Sequence, residues 1–305
     1  MSGGTANGRA AACNKWVSMR VAAMAEIENA GDENRPQPVP TGFFDLDEKL
    51  EGGLPRGELV ILGARPSVGK TALALCTGAN VVRSGGSVVF YSLETQIASL
   101  ARRWLSAEAG VTSAKIFKGD FDDSQKQSML AIADKFDNFF IDGRSDLTVN
   151  RLKSEILGCG MALDLIIIDY TQLMQTTSAR DRYLEVGSVS LELKRLGQET
   201  GIAILALAQL NRQPEGRANK KPELADLRES GSLEQDAHIV LLMHKMSDSI
   251  ITLDIAKNKD GPTGEIPLVY EPTFTRFRNA DIASVTKLKA AADPGTARKI
   301  RRILE

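Results

Sequence analysis

The chain has 305 residues, 43% of them apolar, enough for one large globular domain with arms. Lys plus Arg total 38 and Asp plus Glu 39, a net charge of -1, which excludes a bulk polycation and confines any nucleic-acid surface to a local patch. The three cysteines, Cys13, Cys76 and Cys159, show neither disulfide nor zinc spacing and fit a reducing, cytoplasmic setting; no apolar run is long enough to span a bilayer and no signal core opens the chain.

Residues 1–11 are rich in Gly, Ala, Ser and Asn and are expected to be flexible. Residues 12–29 read as an amphipathic helix, with Val17, Val21 and Met24 on one face, and the Pro-rich stretch that follows to residue 40 reads as a linker. Such a helix must bury its stripe against its own domain or a neighbouring subunit. From Thr41 strands and helices alternate, which predicts a mostly parallel sheet flanked by helices. Predicted strands are 58–62, 87–92, 138–141, 163–169 and 202–208, and predicted helices 70–83, 97–109, 124–135, 149–159 and 181–199. After Pro222 three short strands, 239–244, 250–257 and 264–270, are expected at one edge of the sheet. Residues 41–281 form the expected domain, and the Lys- and Arg-rich residues 282–305 a basic tail.

Six places carry candidate chemistry. Ala64 to Thr71 (ARPSVGKT) matches G-x-x-x-x-G-K-[ST] except at its first glycine. The turn Arg65, Pro66, Ser67, Val68 and Gly69 can cradle phosphates on backbone N–H groups, Lys70 can reach the outer phosphates, and Thr71 can ligate Mg²⁺. Asp169 ends a near-continuous apolar strand, where a carboxylate faces the ligand crevice of an α/β sheet and partners Thr71 on the metal side. Glu94 follows another strand and can activate water, although a glutamate there also complements a helix dipole. Gln209 ends a fourth strand and can sense an outer phosphate, or simply be a polar strand end. Asp226 to Ser232, with Arg228, Glu229 and Gly231, offers a cation, a flexible glycine and exposed N–H groups suited to a single-strand phosphate backbone, or a helix cap with a surface ion pair. Lys257 and Lys259 precede a turn at Asp260-Gly261 and are expected on one face of a hairpin.

Taken together, these segments resemble the motor domain of the DnaB-type replicative helicases over about Thr41 to Asn279. The motifs are Thr41 to Asp47 with Gly52-Gly53-Leu54, the loop Ala64–Thr71, Ser92-Leu93-Glu94, Ile168 to Met174, Leu207 to Arg212, Leu227 to Ala237, and Lys257 to Gly264. The resemblance implies a RecA-like fold and a hexameric ring that uses ATP and Mg²⁺ at subunit interfaces and threads single-stranded DNA. Glu94 would be the catalytic glutamate, Gln209 the γ-phosphate sensor, and Arg228, Glu229 and Gly231 the grip on DNA. Lys257 and Lys259 would reach the adjacent subunit's nucleotide, and the first helix would pack on the next subunit. Lys259 stands where the family has an arginine finger. The family's collar domain is expected to be absent, which puts loader and primase contacts in question. A filament-forming recombinase and an ATP-gated DNA ring with weak unwinding are the competing readings.

Overall fold

The structure is a computed structural model that describes residues 18–28, 32, 36–169, 182–211 and 221–280, without the side chains of 26, 182–187 and 228–231. It divides into two units, residues 1–37 and 38–305. The first contains α1 (Met19–Glu28), on which Val21, Met24 and Ile27 are exposed. Residues 1–17 and 281–305, including both expected tails, lie outside the described residues, as does Tyr170 to Met174.

The second unit is a nine-stranded sheet in the order β3-β2-β4-β5-β1-β6-β7-β8-β9. β3 (Phe139–Asp142), β2 (Val88–Ser92), β4 (Leu165–Asp169), β5 (Ala203–Gln209), β1 (Leu59–Ala64) and β6 (Ile239–Lys245) run parallel. β7 (Ile250–Asn258), β8 (Gly264–Glu271) and β9 (Arg276–Asn279) extend it antiparallel. The central strands are buried on both faces, as a sheet covered by helices requires. Leu165 and Ile167 of β4 join one apolar cluster with α3 (Lys70–Arg83), whereas Ile166 and Ile168 join the other with α7 (Val149–Gly158) and α8 (Arg182–Thr200). The two-residue period of a strand thus divides one apolar run between two cores.

The expected mostly parallel sheet with flanking helices is what the chain forms. Several edges differ for identifiable reasons. β4 starts at Leu165, because the Asp164 carboxylate is used outside the ladder: it accepts from Arg56 Nη2 at 2.5 Å and from the Ser87 amide at 2.8 Å. β1 continues to Ala64, paired with both Gln209 and Met243. The segment from Asp226, expected either as a phosphate-gripping stretch with a flexible glycine or as a helix cap, is helical: a 3₁₀ turn over Leu224–Ser230 leads into α9 (Gly231–Asp236). Leu227 and Leu233 are buried, and Ser190 on α8 donates to the Asp236 carboxylate, so apolar anchors and one side-chain bond hold what the sequence presents as a polar stretch. At the start of the unit, Asp47 on α2 (Phe44–Lys49) accepts from the Thr41 amide (2.8 Å), its hydroxyl (2.6 Å) and the Gly42 amide (2.9 Å), which closes the turn that leads into α2. Among the described residues no helix is long and apolar enough to cross a membrane.

Candidate nucleotide site

The chain leaves β1 at Ala64, turns over Arg65 to Gly69 and enters α3 at Lys70. Ala64 is a buried strand residue whose methyl packs in the core, and its φ is not positive, so nothing there demands glycine. The demand falls on Gly69, the residue before α3, at φ +107°, where an added Cβ would stand 3.0 Å from the Phe277 ring. Ser67 also takes a left-handed φ of 64°. The turn therefore presents α3's N-terminal end to the crevice, the geometry that favours phosphate. Arg65 folds back and donates from Nη1 to the Leu210 carbonyl at 3.2 Å, bracing the loop against the end of β5.

Asp169 ends β4 and is nearly inaccessible to solvent. The Thr71 hydroxyl donates to its Oδ2 at 2.6 Å, and Lys70 Nζ lies 3.7 Å from its Oδ1. Burial pushes the Lys70 ammonium below the usual lysine range, opposed by the nearby Asp169 and Glu94 carboxylates. Glu94 follows β2 on an exposed bend, and Gln209 closes β5 beside Ala64. A cavity of about 480 Å³ is lined by Arg65, Pro66, Ser67, Gly69, Lys70, Thr71, Glu94, Asp169 and Gln209. Its size is that of an ordinary small-ligand site. A hydroxyl and a carboxylate oxygen, side by side next to a lysine and a helix N-terminus, are hard oxygen donors of the kind Mg²⁺ takes with phosphate.

Sequence reasoning missed five lining residues: Ala72, Thr95, Arg103, Tyr270 and Thr275. Arg103 lies on α4 (Ile97–Ala109), and the Thr275 hydroxyl contacts its carbonyl at 3.3 Å. Tyr270 stacks on Phe277 with centroids 4.6 Å apart. Helical periodicity predicts α4 but not which polar residue faces the crevice, and Tyr270 reaches it only through antiparallel pairing far along the chain.

Two predicted groups stand apart. Neither Lys257 nor Lys259 lines the cavity. Only Lys257 lies in β7, and Lys259 follows the strand's last residue; burial, then the nearby Lys259 charge, hold the Lys257 ammonium below the usual lysine range. A bulge precedes them: Val240 pairs with Lys257 but Leu241 with Ile255, leaving Ala256 extra. Lys257 Nζ is held by its own chain, donating to the Glu234 carbonyl at 2.5 Å near the end of α9, while Lys259 is exposed. The side chains of Arg228 and Glu229, and Gly231's surroundings, lie outside the described residues.

A parallel sheet with a phosphate-type loop after β1 and an acidic residue closing a nearby strand defines a RecA-like P-loop fold. More narrowly, the chain belongs to the DnaB-like helicase C terminal domain family, whose model matches residues 38–279. It is 37% identical over 261 residues to the replicative DNA helicase DnaB of Leifsonia xyli subsp. xyli, covering 81% of this chain and 56% of that protein. It is 35% identical over 258 residues to the replicative DNA helicase DnaC of Bacillus subtilis, covering 80% and 57%. The chain thus spans a little over half the length of these curated relatives. Among solved structures, the ATPase domain of G40P superposes with a TM-score of 0.80 at 30% identity, covering 88% of this chain and 100% of that one. A DnaB-like replicative helicase studied with its primase interactions gives 0.78 at 30% identity, covering 87% and 68%.

Proposed function

We propose that the chain is an ATP-hydrolysing helicase motor that translocates on single-stranded DNA as a ring-shaped hexamer and unwinds duplex during replication. One observation carries the reading: Lys70, Thr71 and Asp169, distant in sequence, converge at one cavity with Glu94 and Gln209 on its rim. In this reading the Arg65–Gly69 turn and Lys70 hold the phosphates. Thr71 and Asp169 hold Mg²⁺, which when bound supplies neutralisation of phosphate charge. Glu94 is exposed enough to meet a water molecule and takes its proton as it attacks; Gln209 sits where it registers loss of the outer phosphate. Arg103 and the Tyr270 ring offer a guanidinium and an aromatic face to a flat base.

Lys259, exposed and away from its own cavity, is the group to complete a neighbour's site. Lysine is a point charge without arginine's planar fork, so turnover without DNA is expected to be weak. Arg228, Glu229 and Gly231, on a short helical segment pinned to α8, are the proposed contacts to DNA phosphates. Residues 12–40 are the proposed linker to the next subunit. A primase or a loader is the candidate protein partner, the former because of the relative studied with primase.

The test is a forked-duplex unwinding assay with parallel measurement of ATP turnover, for the chain and its Glu94→Gln variant, with particles imaged in the presence of an ATP analogue and single-stranded DNA. Expected are closed rings, DNA-stimulated turnover and strand displacement, the last two lost in E94Q. Turnover in stable rings without displacement would reject the helicase function in favour of an ATP-gated ring, and open filaments would favour a strand-pairing protein.

A further inference from the structure

The turn carrying Lys259 is fixed by one histidine. His238 immediately precedes β6, and its backbone is bonded on both sides: its amide donates to the Leu59 carbonyl at 2.8 Å, and its carbonyl accepts from the Lys259 amide at 3.2 Å. Its ring, 11% exposed, lies between two carboxylates, with Nδ1 3.2 Å from Glu58 Oε2 and Nε2 2.9 Å from Asp260 Oδ2. Glu58 belongs to the approach to β1 in the middle of the sheet, and Asp260 to the β7–β8 turn, next to Lys259. One residue thus ties Lys259 by its main chain and Lys259's neighbour by its side chain to the strand that leads into the phosphate loop.

Ionised carboxylates only accept hydrogen bonds, so a ring that satisfies both must donate from both nitrogens, which only the imidazolium does. The other charged groups facing this corner are Lys49 and Glu51 from the end of α2, which line the same 170 Å³ cavity as His238 and Asp260. Asp260 is 80% exposed, so its side of the contact competes with water and depends on the ring's charge.

We propose that His238 is a positioning residue for ATP hydrolysis across the subunit interface, its protonated ring clamping the Lys259 turn between Glu58 and Asp260. The inference rests on the reading of Lys259 as the group that completes a neighbour's site. Its direction in pH is fixed. With both nitrogens protonated the turn is held; when rising pH removes one proton, a nitrogen lone pair faces a carboxylate and the turn is released.

The assembled protein on single-stranded DNA is assayed for kcat and ATP KM between about pH 6 and 8.5, as wild type, His238→Gln, Asp260→Asn and Lys259→Ala. Wild-type kcat is expected to fall with rising pH at nearly constant KM. H238Q and D260N should flatten that profile and lower kcat at the acid end by about tenfold, the scale of a small misplacement of a reacting group. A second readout keeps the clamp separable from the finger. The chain has only two histidines, so H238Q assigns the His238 ring signal in a selectively labelled sample. D260N should lower that signal's titration midpoint. An unchanged midpoint overturns the clamp whatever Lys259 does. A shifted midpoint with an unaltered kcat profile, when K259A abolishes turnover, overturns the positioning role. Wild-type turnover in K259A removes the finger reading instead.

Discussion

Replacing Asp169 with Asn tests the centre of the site, because it removes one charge and keeps the shape. Lys70 Nζ lies 3.7 Å from Asp169 Oδ1, with the two side chains 14% and 3% exposed. At an effective dielectric near 20, two unit charges at that separation attract by about 4 kcal/mol. Asparagine forfeits this attraction but can still accept from Thr71 through its amide oxygen. What remains is a lysine already pushed toward neutrality by burial, with Glu94, on an exposed bend, as the other carboxylate acting on it. Breaking a buried pair from one side typically costs about 3–5 kcal/mol. The cavity beside Lys70 admits water, so the expected loss is lower, about 2–3 kcal/mol, or roughly 5–10 °C in unfolding temperature. Urea and thermal unfolding in the absence of nucleotide measure it, and titration with a fluorescent ATP analogue, with and without Mg²⁺, reads the site. The Mg²⁺-dependent part of the affinity should disappear in D169N. A variant that unfolds with the wild-type midpoint and keeps Mg²⁺-dependent binding would refute both the pairing and the metal assignment.

Gly69→Ala should cost about 2–4 kcal/mol and weaken nucleotide binding, because φ +107° strains any L side chain and the new methyl meets the Phe277 ring at 3.0 Å. Phe277→Leu in the same chain should relieve the contact but not the strain, and full recovery in unfolding experiments would place the whole cost in the contact. At the free edge of the sheet, Arg144 hydrogen-bonds to Asp142 and Glu155 and holds both carboxyls below the usual carboxylate range. Depressed folded values mean stability that is present above the unfolded value, near 4, and lost as pH falls through the folded ones. Arg144→Ala should therefore cost about 1 kcal/mol at neutral pH, a figure discounted for exposure, and nothing near pH 2, which denaturant midpoints at the two pH values check. Lys259→Arg should raise DNA-stimulated kcat by at least about tenfold, a small part of the roughly 10³–10⁵ a trans-acting arginine supplies because lysine already provides the charge, and an unchanged kcat would count against Lys259 as the finger.

The strands and helices that build the crevice were legible in the sequence, because each is a run of apolar residues ended by a residue that chemistry singles out. Val88 to Ser92, Leu165 to Asp169 and Ala203 to Gln209 are buried on both faces, and burial that complete leaves a pattern no polar interruption confuses. Asp169 was legible for the same reason, at the end of such a run, and Lys70 and Thr71 through the G-x-x-x-x-G-K-[ST] spacing that opens α3. The lining from Arg103, Tyr270 and Thr275 was not, since it depends on α4 and the antiparallel edge meeting over the cavity, and that meeting has no local signature. The helical Leu224–Asp236 stretch was hidden by its polar composition; buried Asp226 is the visible clue in retrospect, taking the Glu223 amide at 2.7 Å on its carboxylate. His238 carried no signal at all, because its two partners come from elements 180 residues and 22 residues away.

Lys257 and Lys259 show what spacing alone leaves out near a sheet edge. In a regular strand, residues two apart share a face, and the two ammonium groups would act together. One extra residue at Ala256 shifts the register just before Lys257, so that Lys257 swings onto the terminal carbonyls of α9. A cation there complements the negative end of a helix and braces the segment that holds Arg228. Lys259, past the end of the ladder, belongs to the turn whose amide donates to the His238 carbonyl, and it does not line the chain's own cavity. The motif thus comprises an internal brace, Lys257, which couples the proposed DNA segment to β7, and an exposed cation, Lys259, in the turn beyond it, near enough to act on the Lys257 charge. Both connect to β6, Lys257 through its pairing with Val240 and Lys259 through the His238 carbonyl, and β6 pairs directly with the strand that ends in the phosphate loop. Displacement of the turn by a neighbour's nucleotide would therefore act on the strand next to the chain's own site, through hydrogen bonds and not through a flexible linker.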